Sequence, residues 1–285
     1  MEADCVVECA DVLGECPVWS SARQQLFWLD LAQPRLHAFT PDDGVHTTRA
    51  LSAPAPLGGL VATRHPDRLV LGSPAGMTLL DPDTLEEAPI TGPPTGEPDL
   101  NYNDAGVDRA GRLWAATAET SESVPVATVV RFDGPEAETM DSGFIVANGP
   151  VFSAEGDLMF VSDSLGRRIL AYDLDAGGRI VGKRVMAEFD AAMGYPDGLA
   201  VDEDRGLWVA HWDGGLVTRW SFEGERTAQI TVPTRNVTNV AFGGAARDRL
   251  YITTASDGAG GGGNLYSAVP GVAGVPETLY IGQRE

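Results

Sequence analysis

Four oxygen-bearing side chains stand at matching places along the chain, where together they could hold a metal ion. They are Glu15, Asn103, Asn148 and Asp197, and each precedes a short apolar stretch. Two carboxylates brought close together repel each other unless a cation lies between them. Two carboxylates and two amides form a hard, oxygen-rich set that suits Ca²⁺, Mg²⁺, Mn²⁺ or Zn²⁺. The alternative for any single one is a turn or capping residue, because Asn and Asp often begin turns.

Regularly spaced strands would bring these residues together. The apolar stretches are short, rich in β-branched and aromatic residues, and preceded by turn-like segments, as β-strands are. Their central residues are Trp28, Leu71, Trp114, Phe160, Trp208 and Tyr251, spaced 43, 43, 46, 48 and 43 residues apart. A period of about 45 residues with several strands in each repeat is typical of a β-propeller. We predict an all-β fold, with residues 1–285 forming one six-bladed β-propeller of four-stranded antiparallel blades around a central metal site.

The innermost strands of a propeller surround a central channel, so the residues just before them lie at its mouth. Aligning the six predicted inner strands gives the equivalent positions Glu15, Leu57, Asn103, Asn148, Asp197 and Val237. Four of the six are polar, which favours a shared site over six separate turns. We also expect the N-terminal strand DCVVEC to join a blade completed by the C-terminal ETLYIG, which would close the ring.

Composition excludes several classes of function. The chain has 41 acidic and 20 basic residues and a formal net charge of −21, which would repel nucleic acid. No run approaches 18 apolar residues, so we expect no membrane span. The first residues lack the basic and apolar regions of a secretory signal. The three cysteines, Cys5, Cys9 and Cys16, are too few for a disulfide framework, so we expect a cytoplasmic protein with reduced thiols.

Several segments resemble, in order, the gluconolactonase/senescence-marker-protein family, also called regucalcin-like. They are LGECPVWSSARQQLFWLD, NYNDAGVDRAGRLWAAT, NGPVFSAEGDLMFVSDSLGRRILAYDLD, YPDGLAVDEDRGLWVAHW and VTNVAFGG. The resemblance runs over nearly the whole chain and implies a six-bladed propeller with one divalent cation on its axis. Many members hydrolyse sugar lactones. The family's metal ligands fall on Glu15, Asn148 and Asp197, and Asn103 matches an Asn that faces substrate or a metal-bound water.

Three departures from the family bear on the substrate. Asn101 stands where many lactonases of the family carry an Arg that contacts sugar hydroxyls, and an amide cannot offer that charged fork. A substrate-contacting Glu of some members falls near Ser121, with Glu119 and Glu122 close by. Cys16 stands where the family commonly has Gly.

These features predict a divalent-metal-dependent hydrolase that opens sugar lactones to sugar acids. A divalent ion polarises the lactone carbonyl and lowers the pKa of a bound water. Asp197, beside that water, is the expected general base. We expect the substrate to contact Asn101, Asn103 and Glu119.

Two other functional classes remain open at this stage. One is a propeller hydrolase of organophosphates or other lactones, which a mainly aromatic cavity wall would favour. The other is a cation-binding regulatory propeller without turnover. A serine hydrolase has little support because the chain contains no GxSxG motif.

Overall fold

The computed structural model describes residues 1–94, 99–259 and 261–282, and it confirms the predicted six-bladed propeller. The described strands form six antiparallel sheets of four strands each. The only helical segment in this part of the chain is the short 3₁₀ turn Ala191–Met193. No helix within the described ranges is long and apolar enough to cross a membrane.

Each of the first five blades uses four consecutive strands, ordered from the axis outward. The first blade contains β2 (Gly14–Ser20), β3 (Gln25–Asp30), β4 (Arg35–Thr40) and β5 (Val45–Ala50). The second contains β6 (Leu60–Ala62), β7 (Leu69–Ser73), β8 (Gly76–Leu80) and β9 (Glu87–Pro89). The third contains β10 (Leu100–Val107), β11 (Leu113–Glu119), β12 (Ala127–Asp133) and β13 (Glu136–Phe144). The fourth contains β14 (Ala147–Phe152), β15 (Leu158–Asp163), β16 (Arg168–Leu174) and β17 (Ile180–Glu188). The fifth contains β18 (Tyr195–Val201), β19 (Gly206–Trp212), β20 (Leu216–Ser221) and β21 (Arg226–Thr231).

The sixth blade closes the ring with the N-terminal strand, as predicted, but the predicted partner of that strand is wrong. The blade contains β22 (Val237–Gly243), β23 (Arg249–Thr254), β24 (Leu265–Ala268) and, outermost, β1 (Asp4–Val7). Because β1 pairs directly with β24, the blade has four strands without the C-terminal ETLYIG. Tyr280 of that segment instead forms an isolated parallel bridge with Thr63 in the second blade.

A buried tryptophan–aspartate hydrogen bond recurs in three blades and ties each second strand to the turn or loop beside it. The indole Nε1 atoms of Trp28, Trp114 and Trp208 donate to Asp11, Asp108 and Asp202 at 3.0, 2.9 and 2.8 Å, respectively. Asp202 also accepts from the guanidinium of Arg219 at 2.6 Å and from the backbone N–H of Gly206 at 2.7 Å. The Asp202 carboxylate is therefore buried but paired and hydrogen-bonded, and these contacts offset the cost of removing its charge from water.

We expect Asp202→Ala to lower the free energy of unfolding by about 2 to 4 kcal/mol, because Trp208 and Arg219 would lose their buried acceptor. Asp204→Ala is the matched control, since the Asp204 side chain is exposed two residues away. It should change stability by less than about 0.5 kcal/mol. Urea unfolding of both variants measures the difference, and equal midpoints would contradict this role of Asp202.

Candidate functional site

Five of the six inner strands contain a one-residue register shift, a β-bulge, at the place where the predicted site residues lie. The register shifts fall between Glu15 and Val18, Tyr102 and Asp104, Asn148 and Val151, Pro196 and Leu199, and Val237 and Asn239. A β-bulge leaves extra residues unpaired and re-aims their side chains. Repeated around the ring, these bulges bring polar side chains from separate blades toward the axis.

The bulge in β22 corrects the predicted alignment by one residue. Asn103 is the unpaired residue of β10, and Thr238 is the unpaired residue of β22. Thr238, and not Val237, is therefore equivalent to Asn103. It follows that Asn239 is equivalent to Asp104, a relation that the sequence alignment missed.

The predicted residues Glu15, Asn103, Asn148 and Asp197, which we call the upper tier, line one cavity of about 350 Å³. That volume is near the lower end for small-molecule sites. The other polar lining residues are Glu122 and Ser164. The rest of the lining is apolar or aromatic and consists of Leu13, Leu31, Val146, Leu165, Tyr195, Pro196 and Trp212.

A chain of hydrogen bonds fixes the amides of the upper tier. The Asn103 Nδ2 donates to the Asn148 Oδ1 at 2.8 Å and to the Ala147 carbonyl at 3.0 Å. The Asn148 Nδ2 in turn donates to the Ser164 Oγ at 3.0 Å. This arrangement turns the amide oxygen of Asn148, rather than its nitrogen, away from Ser164, leaving an oxygen that a cation could share.

The residues that follow Glu15, Asn103 and Thr238 form a second set, which we call the lower tier: Cys16, Asp104 and Asn239. These three line a second cavity of about 200 Å³, whose lining contains no member of the upper tier. The Asn239 Nδ2 donates to the Glu15 Oε2 at 2.8 Å and to the Asp104 Oδ2 at 3.5 Å. The two tiers are thus joined through one amide.

Neighbouring glycines make room for the lower tier. A Cβ on Gly198 would lie 1.9 Å from the Cγ of Asn239, so no other residue fits there without displacing the amide. The backbone N–H of Gly149 donates to the Asp104 Oδ2 at 2.8 Å, and the Ala105 N–H donates to Oδ1 at 2.8 Å. Asp104 is thus held by backbone groups from two blades.

Burial dominates the electrostatics of the carboxylates. Desolvation raises the pKa of Glu15, and the nearby charge of Asp104 raises it further. Desolvation likewise raises the pKa of Asp104. The pKa of Asp197 is raised well above its ordinary value by desolvation and then by the charges of Glu15, Asp104 and Glu122. All three groups therefore favour either a bound proton or a compensating cation.

Cys16, a member of the lower tier, adopts an unusual backbone conformation. Its φ is +53°, in the left-handed region that favours glycine. Its Sγ accepts from the Gly59 N–H at 3.3 Å and lies 3.9 Å from the Asp104 Oδ1. The thiol fills space beside Asp104, and burial raises its pKa well above the ordinary value, which keeps it protonated.

The structure does not bring two of the predicted substrate-contacting residues to this cavity. The Asn101 Nδ2 donates to the Thr120 Oγ1 at 3.2 Å, outside the lining. The Glu119 carboxylate is buried and accepts from the backbone N–H groups of Ser121 at 3.0 Å and Ser123 at 2.8 Å. Of the two glutamates in this hairpin, Glu122 is the one that lines the cavity.

A cation site in this cavity would need the amide oxygen of Asn148 as well as the carboxylates of Glu15 and Asp197. Within the described residues, no three Asp, Glu, His or Cys side chains converge in the manner of a metal-binding group. A cation in the upper tier would therefore have to combine Glu15 and Asp197 with the oxygen of Asn148. Two carboxylates with raised pKa values and an oriented amide oxygen fit a hard divalent ion.

Comparisons with known proteins place this site in a family context. Residues 13–256 match the family model described as the SMP-30/Gluconolactonase/LRE-like region. The chain is 33% identical to a 6-deoxy-6-sulfogluconolactonase of Pseudomonas putida, covering 98% of each chain. It is 30% identical to a pentonolactonase of Haloferax volcanii, covering 90% of this chain and 87% of that one. The calcium-binding protein regucalcin of Agrobacterium tumefaciens shares the fold with a TM-score of 0.89, at 23% identity, covering 98% of this chain and 97% of that one.

The raised carboxyl pKa values predict a pH-dependent stability of the cation-free protein. The pKa of Glu15 rises from 4.5 to about 8, so the folded state binds more protons than the unfolded state between these values. Stability must therefore fall as the pH rises through this window. We expect the urea midpoint of chelator-treated protein to fall between about pH 5.5 and about pH 8, and to fall less in Glu15→Gln.

Comparing the wild type with Glu15→Gln removes the contributions of other titrating groups, which both proteins share. Burial lowers the pKa of His211 to about 3, which destabilises the fold as the pH falls below the ordinary histidine range. That opposing effect is the same in wild type and variant, so the difference between their slopes reports Glu15. Identical slopes would refute the electrostatic account of Glu15.

Proposed function

Because the chain belongs to the SMP-30/gluconolactonase/LRE-like family, we propose that it is a divalent-metal-dependent hydrolase of sugar lactones. The observation that carries the proposal is the convergence of Glu15, Asn148 and Asp197 with Asn103 on one small cavity. The 6-deoxy-6-sulfogluconolactonase and pentonolactonase similarities support the same reaction class. Glu15, Asn148 and Asp197 each offer a side-chain oxygen, and each belongs to a separate blade of the ring.

In this proposal Glu15, Asn148 and Asp197 hold the cation. When bound, a divalent ion supplies Lewis acidity for the lactone carbonyl and lowers the pKa of a bound water. Asn239 keeps Glu15 in position through its 2.8 Å hydrogen bond. Asn103 keeps the Asn148 oxygen in position through a bond of the same length.

Asp197 is the proposed general base. It is only partly buried and lines the cavity, so its carboxylate is open to a water molecule there. The carboxylate would take a proton from the water that attacks the lactone carbonyl and later return it to the leaving ring oxygen. Both N–H groups of the Asn103 amide already donate to Asn148 and Ala147, so its Oδ1 is the atom that would accept a hydrogen bond from a substrate hydroxyl. We assign the remaining polar contact to Glu122, which takes the place that the sequence prediction gave to Glu119.

The apolar side of the cavity supports a second candidate substrate class. Tyr195 and Trp212 contribute aromatic surface to the lining, together with several aliphatic residues. Aromatic and aliphatic surface of this kind favours substrates that bury apolar groups. Hydrophobic lactones and organophosphates therefore belong in the substrate panel beside the aldonolactones.

We expect Asp197→Ala to lower kcat/KM for an aldonolactone by at least about 100-fold, because general-base assistance and one cation ligand are lost together. Asp190→Ala is the matched control, since Asp190 is exposed and its side chain caps nothing. A pH-indicator assay of proton release measures both. A fully active Asp197→Ala protein would sink the assignment.

We expect a chelator to abolish lactone hydrolysis, and we expect Ca²⁺, Mg²⁺, Mn²⁺ or Zn²⁺, each added alone, to restore it to different extents. The restoring ion should also raise the urea midpoint, because it binds the folded state. Proton release that persists in full after chelation would contradict metal dependence. Stabilisation by a cation without turnover of any lactone or organophosphate would favour a regulatory cation-binding propeller.

A further inference from the structure

We propose that this cavity selects uncharged lactones and repels the carboxylate product, and that Glu122 supplies the charge that does so. The inference rests on the proposed function and adds a charge preference to it. A 6-deoxy-6-sulfogluconolactone carries a sulfonate, so the chain would differ in this respect from its Pseudomonas putida relative.

The charges that line the cavity are all negative. Its described lining residues include Glu15, Glu122 and Asp197 and no Lys, Arg or His. A divalent cation held by Glu15 and Asp197 offsets those two charges, which leaves the carboxylate of Glu122 without a counter-charge in the lining.

The hairpin holds the backbone of Glu122, whose side chain is exposed. Glu122 has a φ of +50°, and its backbone N–H donates to the Glu119 carbonyl at 3.0 Å. The buried Glu119 carboxylate holds the same hairpin through Ser121 and Ser123. Hydrogen bonds from Ser123 and then Ser121 lower the pKa of Glu119 to about 2, so this support remains ionised. Glu119 is thus a positioning residue for the charge of Glu122.

Two arginines lie near the cavity wall, and both already have partners. The Arg167 guanidinium lies 3.8 Å from the ring centre of Tyr195, and its Nη1 donates to the Gly194 carbonyl at 2.6 Å. Arg235 pairs with Asp213, beside Trp212. Neither guanidinium belongs to the lining of the upper-tier cavity. Arg167 is nevertheless the cation that an anionic substrate would have to recruit, so it defines the competing explanation.

The reaction itself makes this charge useful. Ring opening converts a neutral lactone into an aldonate, so the product is an anion where the substrate was not. A like charge in the lining of the cavity disfavours that product more than the substrate. It disfavours an anionic substrate for the same reason.

The test compares D-glucono-1,5-lactone with its 6-phosphate ester in the cation-loaded protein. We expect kcat/KM to favour the neutral lactone by at least about tenfold, and Glu122→Gln to reduce that preference severalfold. Inhibition by gluconate should become stronger in the same variant. Glu136→Gln, which removes an exposed charge on β13, is the control and should leave both quantities unchanged.

Each result separates the charge preference from the proposed function. Equal or better turnover of the phosphorylated lactone would overturn the preference while leaving lactonase activity intact. Loss of that turnover in Arg167→Gln would then identify Arg167 as an anion contact. An unchanged preference and unchanged gluconate inhibition in Glu122→Gln would overturn the role of Glu122. Hydrolysis of neither lactone by the wild type would reject the substrate class, and tryptophan fluorescence would still report whether gluconate binds more tightly to Glu122→Gln.

Discussion

The burial of several carboxylates around one axis is the energetic constraint that shapes this molecule. Glu15 and Asp104 are both less than a tenth exposed, and each loses most of its hydration on folding. Hydrogen bonds from Asn239 and from backbone amides offset only part of that cost, since the pKa values of both carboxylates remain raised. The centre of the propeller therefore favours a proton or a cation, and the surrounding ring has to hold the repelling groups together.

The hydrogen bonds that reduce this repulsion also join the blades. Asn239 on β22 links Glu15 on β2 with Asp104 on β10, and Asp104 in turn accepts from Gly149 on β14. Four of the six blades thus contribute to one network around the axis. The network depends on closure of the ring, in which β1 pairs with β24 in the sixth blade. A gap between the first and sixth blades would separate Asn239 from Glu15.

Periodicity in the sequence was sufficient to predict the blades and the upper tier, but not the lower tier. Glu15, Asn148 and Asp197 each stand just before an apolar strand, so a period of about 45 residues finds them. Asp104 and Asn239 have no such signal, because the equivalent positions after Asn148 and Asp197 are glycines. The bulge in β22 also displaced the alignment to Val237. The doublets Asn103-Asp104 and Thr238-Asn239 were the available sign that a second polar residue follows the first.

The two glutamates of the β11–β12 hairpin illustrate why residue identity alone does not assign a role. Glu119 and Glu122 are three residues apart, and nothing in their types distinguishes a hairpin support from a cavity charge. The difference arises from the backbone: Glu122 adopts a positive φ, while Glu119 ends a regular strand and is surrounded by serine donors. The charge at the cavity thus depends on a carboxylate that does not line it, because the hydrogen bonds of Glu119 give the hairpin the shape that places Glu122.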